Sequence, residues 1–231
     1  MKTTAIFTRA LATSTVSAFD LVRDEHSKGL EFVSNGDGTC TVSGIGTCTD
    51  NDVKIPSVYN EEIVTGIGSL AFSECASLTS ISIPDSVTSI GSFAFDGCKG
   101  LTSVTIPDSV TSIGESAFYR CASLTSITIP NSVEEIGDGA FSSCKSLTEI
   151  TIPDSVQRIG YSAFSDCKGL EKITLPESVI VASVNNSWFS CDTILMNITL
   201  PEGAIGIRKY VFRNCPNLKN VAVRNSVASK F

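Results

Sequence analysis

Residues 83–174 contain one 23-residue unit written four times without a gap: IPDSVTSIGSFAFDGCKGLTSVT, IPDSVTSIGESAFYRCASLTSIT, IPNSVEEIGDGAFSSCKSLTEIT and IPDSVQRIGYSAFSDCKGLEKIT. A unit this short cannot bury its own apolar face and must stack on its neighbours. A period of roughly 20–50 residues is therefore the mark of a solenoid. Length alone, at 231 residues, would suggest one or two globular domains. The repeat replaces that expectation with a single elongated array.

The second copy shows how each unit is used. Its apolar slots are Ile106, Val110, Ile113, Ala117, Phe118, Cys121, Leu124 and Ile127. The alternation Ser126-Ile127-Thr128-Ile129 predicts a strand with the isoleucines inward and Ser126 and Thr128 outward. Pro130 follows at the strand end, where a missing donor does least harm. Val110-Thr111-Ser112-Ile113 alternates again and reads as a second short strand. Residues 115–121 have room for one or two helical turns. Gly114, at the junction, fits a backbone conformation or a close approach that a side chain would prevent. After each proline, Asp85, Asp108, Asn131 and Asp154 suit a turn in which the side chain bonds nearby amides. The fold class expected is an α/β repeat solenoid, strand-rich, with short helical turns on the convex side.

Two ladders run through the copies. Phe72, Phe95, Phe118, Phe141, Phe164 and Phe212 share one slot. Each buries on the order of 150–250 Å², so they should form a stacked spine that dominates the core. Cys75, Cys98, Cys121, Cys144 and Cys167 fall 23 residues apart, and Cys191 and Cys215 each follow 24 after their predecessors. An odd set of seven cannot all pair, and neighbouring rungs present parallel side chains. The ladder therefore reads as small buried hydrophobes with a weak donor, and it does not report the redox compartment. Cys40 and Cys48 read as lying outside it, flanking the turn Gly44-Ile45-Gly46, either free or cross-linked to each other in an oxidising compartment.

The chain divides into three parts. Residues 1–28 form an N-terminal leader, disordered or targeting. Arg9 interrupts its apolar run and four hydroxyl residues fall in residues 10–19, so it is a poor secretory signal. Residues 29–54 form a β-rich N-terminal cap in which Asn35-Gly36-Asp37-Gly38 marks a hairpin. Residues 55–231 hold the repeats: regular over 83–174, degenerate over 175–199 with Trp188 in the phenylalanine slot, and ending in a last full copy over 200–222.

Several classes of function are excluded. The net charge is −7, and residues 83–174 carry eleven acidic side chains against six basic ones. No basic stripe is present to neutralise phosphates, so nucleic acid is not a partner. No run reaches the roughly 18 apolar residues of a membrane span. His26 is the single histidine, and nothing places it beside a cysteine or serine for nucleophilic chemistry. One cysteine per coil makes a row, not a zinc tetrahedron. One acid per rung supplies too few oxygens for calcium. No catalytic, cofactor or metal site is expected.

The outward strand slots remain the candidate ligand face: Ser103, Thr105, Ser126, Thr128, Glu149, Thr151, Lys172, Thr174, Asn197 and Asn220. Solenoids commonly bind along such a face. The first pairs are plain hydroxyls and the later ones vary, which places specificity from Glu149 onwards. Charge along the axis suggests a second possibility. Residues 29–82 carry seven acids and one base, and residues 200–231 one acid and six bases. Opposite ends could dock in a head-to-tail contact that propagates.

The tandem pattern IPxSVTSIGxxAFxxCxxLTSIT resembles the BspA-like leucine-rich repeat, and residues 30–68 look like the lead-in usual in that family. The resemblance implies a leucine-rich-repeat solenoid of the kind found on the surface of bacteria and some protists. Several such proteins are adhesins for extracellular-matrix proteins, host cells or other microbes. It therefore implies a non-enzymatic binding module, extracellular or at the cell surface, with a protein or glycan partner. The sequence shows no convincing signal peptide or wall anchor of its own.

Overall fold

The computed structural model describes residues 26–176, 197–200 and 217–223. The leader up to residue 25, Trp188, Phe212, Cys191, Cys215 and most of the basic C-terminal stretch lie outside the described residues.

Each regular unit of residues 83–174 contributes one short strand to each of two parallel rows. The first row is β3 (Asp52–Lys54), β6 (Ser80–Ser82), β8 (Ser103–Thr105), β10 (Ser126–Thr128), β12 (Glu149–Thr151), β14 (Lys172–Thr174), β15 (Asn197–Leu200) and β16 (Asn220–Val223). Register is kept from coil to coil: Asp52 pairs with Ser80, Ser103 with Ser126, Glu149 with Lys172, and Lys172 with Asn197. The second row consists of β7 (Ser89–Ile90), β9 (Ser112–Ile113), β11 (Glu135–Ile136) and β13 (Arg158–Ile159). It joins β5 (Glu62–Ile67), which also pairs antiparallel with β4 (Val58–Tyr59), and, through β5, the hairpin of β1 (Glu31–Ser34) and β2 (Thr39–Gly44). That hairpin turns where the glycines allow it, with Gly36 and Gly38 at φ of 82° and 87°. Asp37 accepts bonds from the Thr39 hydroxyl and amide, which lower its pKa.

The core between the rows is a column of identical side chains. Phe72, Phe95, Phe118, Phe141 and Phe164 are fully buried. Their ring centroids are 5.1–5.7 Å apart and neighbouring planes lie within 10° of parallel. Phe95, Phe118 and Phe141 are each sandwiched between two neighbouring rings, so the spine also fixes the stagger between coils. Hydroxyls add to this stitching. Ser109, Ser132 and Ser155 donate to the carbonyls of Val87, Val110 and Val133 in the preceding coil, at 2.5, 2.7 and 2.8 Å. These serines follow the Asp85-type residues, and each turn is also closed by a backbone bond, such as that from the Val110 amide to the Pro107 carbonyl at 3.1 Å.

The expected helical turns are absent from the described residues. In residues 115–121 alternate amides do two different things. Ala117, Tyr119 and Cys121 donate locally to Gly114, Ser116 and Phe118, three residues back. Ser116, Phe118 and Arg120 instead donate to Asp138, Ala140 and Ser142 of the next coil, at 2.8–3.0 Å. An α-helix needs every amide to point along its own axis to the fourth residue back. Here half of them point between coils. Two left-handed residues per coil, such as Ser116 at φ 51° and Arg120 at φ 58°, turn the backbone out of any helix. The fold is a strand-and-turn solenoid.

Gly114 is a close-approach glycine. A β-carbon on it would sit 2.6 Å from the Gly91 carbonyl carbon and 2.7 Å from the Ser92 nitrogen. Gly91 and Gly137 meet the preceding coil in the same way.

The strand face as candidate binding surface

Strand alternation aims the first row outward. In β8, β10 and β12 the middle residues Val104, Ile127 and Ile150 are buried, while their neighbours are exposed. Ser103, Thr105, Ser126, Thr128, Glu149, Thr151, Lys172 and Asn220 are exposed, and Thr174 and Asn197 are half-buried. The structure therefore brings all ten expected positions onto one face. Its charges are internally matched: Lys172 Nζ lies 3.7 Å from Glu149 Oε2, both side chains more than half exposed. A pair this open contributes about 0.2–1 kcal/mol and is screened by salt. Asn220 Nδ2 donates to Asn197 Oδ1 at 2.9 Å, so the amides form a short ladder of their own.

Four of the ten positions share a groove of 530 Å³: Ser126, Thr128, Glu149 and Thr151. Asp108 and Asn131 also wall it. Sequence reasoning gave these two to turn formation. They reach the groove because each lies three residues past the end of a strand of that row, β8 or β10. The face also begins earlier than expected. Asp52 and Lys54 stand in register with Ser80 and Ser82, and the Ser80 hydroxyl donates to Asp52 Oδ1 at 2.5 Å. The repeat pattern hid β3, because 28 residues separate Asp52 from Ser80 instead of 23.

The turn side is built differently. Arg120 Nη2 contacts Glu74 Oε1 at 2.6 Å and Asp96 Oδ1 at 3.0 Å, reaching across two coils. Gly97 makes the reach possible, since a β-carbon there would lie 2.8 Å from the Glu74 carboxylate. The Asp96 hydrogen bond, ahead of other causes, raises the Arg120 pKa.

The interior thiols are donors. Cys98, Cys121, Cys144 and Cys167 give Sγ hydrogen bonds to the carbonyls of Phe72, Phe95, Phe118 and Phe141, at 3.0–3.2 Å. Burial pushes the Cys98 and Cys144 thiols well above their ordinary value and the Cys121 thiol up to about 12. Protonated, they keep bonding; they are not nucleophiles. Among the described residues no group of three or more metal-ligating side chains gathers, and no helix is long and apolar enough to cross a membrane.

Among the described residues, two stacked rows of parallel strands, an aromatic spine and a glycine at each junction (Gly68, Gly91, Gly114, Gly137 and Gly160) define a leucine-rich-repeat solenoid. Residues 65–181 and 111–230 match the BspA type leucine-rich repeat region, in six copies. The chain belongs to the BspA-type leucine-rich-repeat family. It is similar to a leucine-rich repeat protein from Bacteroides ovatus, with 38% identity over 84% of this chain and a TM-score of 0.75. It spans about half of that protein, 51% of its chain. The leucine-rich repeat protein of T. pallidum is 31% identical, with 87% of this chain and 82% of that chain covered and a TM-score of 0.68. The pneumococcal vaccine antigen PcpA shares the fold at 20% identity and TM-score 0.56, over 84% of this chain and 43% of that one. No curated protein matches at a significant level.

Proposed function

We propose that this protein is a non-enzymatic binding module that engages a protein or glycan through its strand face, at a cell surface. The observation that carries the reading is the groove around Ser126, Thr128, Glu149 and Thr151. There, plain hydroxyl rungs give way to side chains that differ between copies. Identical rungs serve stacking, whereas rungs that differ in an exposed position serve no packing need. Hydroxyls, amides and one screened ion pair suit a polar, near-neutral partner. Surface location and adhesion come from the family resemblance.

Immobilised extracellular-matrix proteins and a glycan array, probed with the wild type and with a Glu149→Ala/Lys172→Ala variant, test the reading. Binding to at least one member should fall about tenfold in the variant, a loss of about 1.4 kcal/mol. Binding left unchanged, or no member bound, would refute it.

A second reading rests on charge. Glu31, Asp37, Asp50, Asp52, Glu61 and Glu74 are exposed at the N-terminal end of the array, and the C-terminal sequence is basic. Copies would then assemble head to tail. Light scattering at low salt should show mass growing with concentration, and a monomer throughout would end this reading.

A further inference from the structure

The cysteine ladder begins one rung earlier than the repeat indicates. Cys48 donates its amide to the Ile45 carbonyl at 3.0 Å, as Cys75 does to Phe72 at 3.2 Å, so it holds the same place in the same kind of turn. Ile45 and Cys48 both pack against the core. Spacing hid this rung, because 27 residues separate Cys48 from Cys75.

The first two rungs differ from the rest. The thiols of Cys98, Cys121, Cys144 and Cys167 are fully buried, each bonded to the phenylalanine carbonyl of the coil before. Cys48 and Cys75 are half-buried and free. The Cys75 thiol turns instead to Ser73 in its own turn, a weak contact at 3.8 Å. Both cysteines wall one groove of 440 Å³, beside Asp50 and Glu74. Just beyond them the two backbones are tied together: the Thr79 amide and hydroxyl donate to the Asn51 carbonyl at 2.7 and 2.9 Å. Parallel chain segments paired in this way lie about 5 Å apart, inside the roughly 4.4–6.8 Å Cα separation that disulfides span. Inside the ladder each thiol is in addition held by its bond to the carbonyl of the coil before. Cys75 has no such bond to the coil before.

We propose that Cys48 and Cys75 form an oxidant-accessible dithiol that a small disulfide converts into an intramolecular disulfide, clamping the first turn to the second. The step is thiol–disulfide exchange. One thiolate of the pair attacks a sulfur of the small disulfide, forming a mixed disulfide and releasing one small thiol. The second thiolate then attacks the protein sulfur of that adduct, closing Cys48–Cys75 and releasing the other small thiol. Two protein thiols are oxidised and one small disulfide is reduced to two thiols. Burial raises the Cys75 pKa, which makes it a slow first attacker.

The full chain, folded and treated with oxidised glutathione, is digested without reduction and mapped by mass spectrometry. The expected product is a Cys48–Cys75 peptide pair lighter by two hydrogens, roughly 2 Da, with Cys98, Cys121, Cys144 and Cys167 still alkylatable once the chain is unfolded. In Cys75→Ser, Cys48 should stop at the glutathione adduct. The proposal is overturned if Cys48 and Cys75 in the wild type each stop at an adduct, if either pairs with Cys40, or if neither reacts.

Discussion

Gly114→Ala sets two effects of opposite sign against each other. Replacing glycine by alanine reduces the freedom of the unfolded chain, which on its own stabilises by about 0.4–1 kcal/mol. Gly114 does not use the left-handed region, so no backbone strain complicates the exchange. Contact decides the sign. The new β-carbon would lie 2.6 Å from the Gly91 carbonyl carbon, 2.7 Å from the Ser92 nitrogen and 2.9 Å from the Gly91 oxygen. Carbon atoms pack at about 3.5–4.0 Å, so the coils must part by roughly 1 Å. Every atom met is backbone, and no rotamer change can relieve the clash. The same movement stretches the bond from the Gly114 amide to the Ile90 carbonyl, now 2.8 Å. Overpacking of this kind costs about 1–3 kcal/mol, so the net effect is a loss of about 1–2 kcal/mol. In urea unfolding followed by circular dichroism, the midpoint should fall by roughly 0.5–1 M at unchanged slope. A midpoint that stays or rises would refute close coil contact as the reason for the Ile-Gly step.

Phe118→Ala removes one ring from the middle of the spine and should cost about 3–5 kcal/mol in the same assay. The Cys121 thiol has an ordinary value of 9.0, raised to about 12 first by burial and then by Asp96. Its contribution to stability is therefore complete below pH 9 and lost as pH climbs from 9 towards about 12. Thermal melts across that window should fall steeply, and less steeply in Cys121→Ala. Arg120→Ala leaves the nearly buried Asp96 carboxylate without its fork and should cost about 1 kcal/mol. That loss should shrink in concentrated salt, since Arg120 is partly and Glu74 more than half exposed.

Whatever recurs at a fixed period was legible in the sequence. The phenylalanine slot, the interior cysteine slot and the Ser-Ile-Thr alternation each have a single physical use, and the structure assigns them that use. The turn around Phe118 was not legible. Apolar spacing over residues 115–121 fits a helix locally, but the amides of Ser116, Phe118 and Arg120 bond to the next coil, and no local pattern encodes a partner 22 residues away. Asp52 and Cys48 escaped for a related reason. Their chemistry matches the row and the ladder, but their offsets of 28 and 27 residues break the period. Asp108 and Asn131 were visible as turn residues. That the turn lies beside Ser126 and Thr128 follows only from three-dimensional stacking.

A large side chain placed in the groove tests the strand-face account most directly. Thr128→Arg puts an arginine among Ser126, Glu149 and Thr151, whereas Tyr161→Arg replaces an exposed residue on the turn side. Both proteins are first shown by melting to fold, then compared with the wild type on the same matrix-protein and glycan panel. The account predicts that Thr128→Arg abolishes binding while Tyr161→Arg retains it. Equal binding by both variants, or loss only at Tyr161, would contradict it.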